Sequence, residues 1–411
     1  MIVIKNWIRI ALVNLLIVSM LGVTMRYKIA YSLPFIDQKK FLHAHSHFAF
    51  AGWITMALMV LLVAYLMKQQ GILMVKKYKW ILLANLITAY GMLFSFPFQG
   101  YGVYSITSST LSIFISYVFA FMFWKDLNRL PEKNISHSWL KAAVLFNAIS
   151  SIGAFTLSGM MITKTIHQNW YLHSVYFFLH FQYNGWFFFA CMGLVTDKLS
   201  RFGLSTKSLK IVFWLFATAC IPAYLLSVLW VKIPTWTYII VVMSSLAQVA
   251  GWLIMLKIIY KALAFIKTFG VTARRLLFLS AVALSIKLLL QLGSTIPSVS
   301  QLAFGFRPIV IAYLHLVLLG VITLFIISEA ITDHFIMLNK KMVAGVFIFT
   351  AGIILNEAVL MLQGISDINY VSIPYINETL LVIAIMLFFG ILLLNISQLK
   401  SKSEPELSHS L

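Results

Sequence analysis

The sequence predicts an all-α, polytopic integral membrane protein of about 12 transmembrane helices, arranged as three four-helix pseudo-repeats. Three observations carry this. The 411 residues are 61% hydrophobic and only 10% charged, with a mean hydropathy of +0.94. Soluble domains are about 45–50% apolar and about a quarter charged. A water-soluble globule could not bury this much apolar surface, which excludes a soluble enzyme, a disordered chain and a secreted disulfide scaffold. The second observation is that apolar runs of spanning length, roughly 20 residues, nearly fill the chain. The third is that Lys and Arg alternate in density between successive loops, as helix orientation requires.

The first run, 7–24, follows Lys5 and Arg9 and has no small-residue cleavage site after it, so it reads as a helix rather than a signal peptide. The second, 43–67, opens on three histidines. The next four are 79–98, 104–124, 139–163 and 172–196, followed by 209–231, 236–256, 274–293, 308–330, 342–363 and 378–397. Together they make one transmembrane domain, 1–397, followed by a polar cytoplasmic tail, 398–411. Cys191 and Cys220 lie inside apolar runs and form no CxxC motif.

The net charge of +20 comes from 31 Lys+Arg against 11 Asp+Glu. With the termini and the loops after even-numbered helices on one side, that side holds 23 of the cations and the other holds 7. This split predicts cytoplasmic N- and C-termini. It also accounts for the charge as membrane topology, with no nucleic-acid partner; the bilayer itself is the expected surrounding.

Six of the ten histidines lie in, or at the start of, only three runs: His43, His45 and His47 in the second, His173 and His180 in the sixth, His315 in the tenth. His137, His167, His334 and His409 fall in loops or the tail and read as surface residues. Ionisable groups inside a membrane helix are costly and mark function by default. His47, His180 and His315 are each followed five residues later by Gly, at Gly52, Gly185 and Gly320, and their separations are 133 and 135 residues. Each interval equals four helices, so the pattern is that of an internal threefold repeat. All three helices run from outside to inside, which predicts a histidine site in the outer half of the membrane. His43 and His47 share a helix face, while His45 points to another side. The alternative is that these imidazoles are interhelical hydrogen-bonding groups. Imidazole is also the commonest metal ligand and a frequent axial ligand of haem iron.

The segment His45-Ser46-His47-Phe48-Ala49-Phe50-Ala51-Gly52-Trp53 resembles the HxH-bearing helix of haem-copper oxidase subunit I, in its nitric-oxide reductase version. The stretch His43-Ala44-His45-Ser46-His47 is similar to the HAHE stretch of NnrS proteins, twelve-helix haem- and copper-containing proteins associated with nitric-oxide stress. The oxidase resemblance implies that His45 binds a high-spin and His47 a low-spin haem. By repeat symmetry His180 and His315 are the further haem partners, and Arg307, before Pro308, is a candidate partner for a haem propionate, against a contact with lipid headgroups. His43, His45, His47, His173, His180 and His315 form the metal-ligand set. The implied cofactors are a non-covalent b-type haem, since no CxxCH is present, together with copper or non-haem iron. The implied setting is the inner, cytoplasmic membrane, with an electron-donor subunit or quinol as partner. The resemblance differs in placing the HxH pair on the second helix rather than the tenth, and the third, seventh and eleventh runs hold no His.

The expected function is therefore a haem-binding membrane protein acting in nitric-oxide or oxygen redox chemistry, with oxidoreductase turnover left open. The alternatives are a haem or metal handling protein without turnover, and a secondary transporter. Lys287 and Glu357, both inside apolar runs, are candidates for a proton path, against a snorkelling lysine and a protonated buried acid.

Overall fold

The computed structural model describes residues 2–71, 73–165, 167–202 and 205–399. The predicted tail from 400 onward lies outside them. Helix is the regular structure throughout, and there is no strand among the described residues. We label the long helices α1 (Ile2–Ala30), α2 (Gln38–Gln70), α3 (Leu73–Gln99), α4 (Val103–Asn128), α5 (Ile135–Ile162), α6 (168–201), α7 (Thr206–Cys220), α8 (Thr235–Lys261), α9 (Val271–Gly293), α10 (Arg307–Thr332), α11 (Lys340–Ile368) and α12 (Ile376–Ser397).

The protein is an integral membrane protein. Among the described residues ten helices are long and apolar enough to span a bilayer, or eleven if α7 and the 3-10 turn Pro222–Val228, bent from it by 47°, count as one. The expected count of about twelve spans is therefore not reached by length and apolarity. The long helix α6 does not qualify; it carries His180, Gln182 and Asn184 in its middle, buried from lipid. The predicted seventh span breaks at Pro222, which has no N–H to continue the ladder. Most helices extend beyond their apolar runs by several residues, and Pro297–Gly305, expected as loop, is a short helix.

Chain neighbours pack side by side, and α12 returns against α1, closing a ring. Inside lie α2, α6 and α10. The α2 span is 89% buried, against 11% for the outer helix α4. The three repeat-related helices thus form the interior, each wrapped by helices of its own unit.

Each of the three inner helices widens into a π-helical turn directly after its repeated histidine: Phe48–Thr55 after His47, Phe181–Phe187 after His180, Leu316–Thr323 after His315. A π turn leaves carbonyls without their usual donors, and in lipid these need other partners. Neighbouring helices supply them. Asn14 of α1 donates to the Gly52 carbonyl (2.6 Å) and Asn85 of α3 to that of Ala51 (3.2 Å). The Cys220 thiol of α7 faces the Asn184 carbonyl (3.9 Å), and Ser280 of α9 donates to that of Val321 (2.7 Å). The threefold repeat is therefore a repeat of backbone irregularity as well as of sequence.

The turns also touch one another in cyclic order. Trp53 Nε1 donates to Thr323 Oγ1 (3.0 Å), and Trp186 Nε1 donates to Thr55 Oγ1 (3.2 Å). Counting from each repeated histidine, the third contact would join Val321 to Phe188, and both are apolar. Interhelical hydrogen bonds in membranes average about 0.6 kcal/mol, so these two set register more than they add stability.

At the start of α2, Asp37 caps the helix, its carboxylate accepting from the Lys40 (3.0 Å) and Lys39 (2.9 Å) amides. The backbone donors, Lys40 first, hold its pKa below the usual carboxylate range. A depressed folded-state pKa means that the cap stabilises at neutral pH and is lost as the pH falls through that value.

Where α11 crosses α12, Gly345 and Gly390 let the backbones meet. A Cβ on Gly390 would lie 2.6 Å from the Phe349 amide nitrogen, and backbone cannot yield as a side chain can. Gly390→Ala is expected to lower stability by about 1–3 kcal/mol. Gly159→Ala, in α5 with open space around it, should be neutral or mildly stabilising. Thermal unfolding in detergent compares the two, and equal midpoints would contradict the crossing as described.

Candidate functional site

The six intramembrane histidines are placed in four surroundings. His43 and His47 lie on the α3 side of α2. The His47 ring stacks on Phe96 (4.4 Å between centroids), and its Nε2 is 3.4 Å from the Tyr101 hydroxyl. His43 meets Tyr101 edge-on at 4.6 Å, and its Nε2 is buried with no hydrogen-bond partner. His45, two residues from each, points instead to α1.

His45 Nδ1–H donates to the Val18 carbonyl (3.1 Å), and His315 Nδ1–H donates to the Ile311 carbonyl (2.8 Å). A carbonyl only accepts, so each ring is fixed in the Nδ1–H tautomer with the Nε2 lone pair left over. This is the arrangement of a metal-ligating imidazole, whose other nitrogen is anchored by a second-shell acceptor. The two rings lie within electrostatic range of each other across α2 and α10. Both side chains are only half-buried, so neither nitrogen is sealed by packing.

Two arginines flank this pair. Arg26 of α1 lies within electrostatic range of His315 and of Arg307. Neither arginine forms an ion pair among the described residues. One unpaired guanidinium near the His315 imidazole, with a second near the first, concentrates positive charge at this end of the pair. Arg307 was expected from the sequence. Arg26 was counted as an ordinary loop cation; only the α1–α2 hairpin brings it to the site.

His180 is fully buried and both its nitrogens are engaged. Nε2–H donates to the Cys220 carbonyl (2.8 Å), and Nδ1 accepts from the Asn184 amide (3.1 Å). That carbonyl is available because α7 ends there, ahead of Pro222. Lys287 of α9 is buried within electrostatic range of both His180 and Cys220, with no ion pair among the described residues. His173 stacks on Trp230 (5.2 Å). Glu357, half-buried on α11, accepts from the neighbouring Asn356 amide (3.1 Å). Among the described residues no three His, Cys, Asp or Glu side chains converge as a metal-binding group.

One expectation is corrected. His137 is not a surface residue: it is buried in the first turn of α5, and its Nε2 lies 2.9 Å from the Tyr65 hydroxyl of α2. His167 and His334 are exposed as expected, and His409 lies outside the described residues.

Sequence reasoning also missed a charged cluster at the other end of the inner helices. Lys198 of α6 pairs with Glu329 of α10 (2.8 Å) and with Asp333 (3.4 Å), and Asp333 pairs with Lys68 of α2 (2.7 Å). The signal was present in the repeat: Tyr65, Lys198 and Asp333 each stand 18 residues after the repeated histidine.

The fold and site together define an all-α polytopic membrane protein with an imidazole pair held between two repeat-related inner helices. No protein-family model matches the chain, and a search among curated proteins finds no match.

Proposed function

We propose that the chain is a haem-binding membrane protein which holds a b-type haem non-covalently between His45 and His315, in nitric-oxide or oxygen redox chemistry. The observation that carries this is the shared tautomer. Two imidazoles from repeat-related helices each give Nδ1–H to a backbone carbonyl and keep Nε2 free, beside two unpaired arginines suited to propionates. A haem supplies one-electron and diatomic-gas chemistry. The chain's own part is to fix ring orientation through Val18 and Ile311, to neutralise carboxylates with Arg26 and Arg307, and to keep the π turns from unravelling.

With both His45 and His315 holding the haem, the group would supply electron-transfer chemistry rather than gas binding. Gas turnover then belongs at a second centre, copper or non-haem iron, for which His43 and His47 beside Tyr101 are the remaining imidazole pair. The test is the absorption spectrum and metal content of protein purified after expression with ample haem. A Soret band that carbon monoxide leaves unmoved in the reduced state is expected. No Soret band at all would end the proposal. Haem without turnover of nitric oxide or oxygen would select haem handling.

One feature favours a transporter as the second reading. The break of α7 at Pro222, beside buried Lys287 and His180, is the kind of interrupted helix that transporters use near a substrate site. Substrate uptake by haem-free protein would support it.

A further inference from the structure

A cavity of about 1120 Å³ lies between α6, α8, α9, α10 and α11. It exceeds the roughly 300–1,000 Å³ of usual small-molecule pockets. Its walls are apolar, with Phe188, Trp252, Met255, Leu277, Val321 and Phe325 among them. It is rimmed on the lipid side by exposed Phe278, Phe347 and Ile354.

The repeat explains why the space is there. Its inner wall holds the third corner of the ring, where Val321 stands in place of Trp53 and Trp186 and Phe188 in place of the threonines. Two repeats close that corner with an indole; the third leaves it open. The mouth is basic: Lys267, Arg274 and Arg275 line it, and none of them forms an ion pair among the described residues. Higher up, Thr350 of α11 lines the cavity 91% buried, by its 9% exposure, and its hydroxyl has no hydrogen-bond partner.

We propose that this cleft is a binding site for an anionic phospholipid, its phosphate at Lys267, Arg274 and Arg275, one acyl chain in the cavity, and an ester oxygen within reach of Thr350. Apolar volume alone would accept any long-chain amphiphile. The three unpaired cations select a negative headgroup, and the side opening lets a lipid enter from the bilayer. A neutral quinone would leave that charge unanswered.

Trp252 in the wall provides the probe. Phosphatidylglycerol with brominated acyl chains should quench indole emission at a lower mole fraction than brominated phosphatidylcholine, by about fivefold per engaged cation. The preference should be absent from the difference signal when Trp252→Phe replaces the wild type. The variant Lys267→Gln/Arg274→Gln/Arg275→Gln, altered only at the mouth, should quench equally with both lipids. Val321→Phe, which fills the open corner without adding an emitter, should lose the Trp252-dependent part of the quenching by either lipid. Equal quenching of the wild type by both lipids would overturn the proposal. So would displacement of the brominated phosphatidylglycerol by a long-chain quinone equally well in wild type and triple variant, which would assign the cleft to a neutral amphiphile.

Discussion

Protein purified with His315→Ala is expected to lose its haem absorbance, and His45→Ala to lose it equally, while His173→Ala and His180→Ala keep it. Second-shell changes at metal sites already cost about 10–100-fold in affinity, so removing either ligand should reduce haem per chain by more than tenfold. The contrast with His180 is the discriminating part. By sequence, His180 is a haem-partner candidate on the same footing as His315, and its His-Phe-x-x-x-Gly-Trp context matches that of His47. By geometry its two nitrogens are already used, on Cys220 and Asn184, and freeing either would leave a buried polar group without a partner. Arg26→Gln and Arg307→Gln should weaken retention without abolishing it, because each removes one charge from a pair. Haem lost from His180→Ala and kept in His45→Ala would place the site on α6 instead.

The sequence made the fold class and the threefold period readable because both are one-dimensional properties. Hydropathy depends on composition over a window, and the His-to-Gly offset recurs at a fixed interval. It also placed His45 on a different side of α2 from His43 and His47, since that follows from helical periodicity. Which partner each side meets was not readable. The Val18 carbonyl, the Cys220 carbonyl and Arg26 come from the adjoining helices of the chain, and nothing in their own sequence neighbourhoods marks them. The π turns were hidden for a different reason: Phe48–Thr55 and Leu316–Thr323 share Gly and apolar residues but no code for a widened turn. His137 was misjudged because a short, polar, Lys-bearing stretch looked like a surface loop. The first turn of α5 is instead folded down onto Tyr65. The break in α7 was foreseeable from Pro222, inside a run otherwise apolar enough to be continuous.

Lys198→Met is expected to destabilise the protein by about 3 kcal/mol, and Lys198→Met/Glu329→Met to recover most of that loss. Lys198 is the cation between two acids, and Glu329 is buried with little access to water. Removing Lys198 alone strands the Glu329 carboxylate, which must then stay charged without a partner or take up a proton. Removing both replaces the pair with apolar side chains of similar reach, and such replacements are often neutral for buried ion pairs. Glu329→Met alone should cost less than Lys198→Met, because Asp333 still faces Lys198 and is itself held by Lys68. A double-mutant cycle read by unfolding in mixed micelles gives the coupling directly. A loss in the double variant equal to the sum of the two single losses would show that the cluster is not cooperative. The cycle bears on the histidines as well. The ion pairs tie α2, α6 and α10 at one end as the Trp–Thr bonds tie them in the middle. Since His45 and His315 stand on α2 and α10, loosening this end should also weaken haem retention in Lys198→Met, and the double variant should restore it.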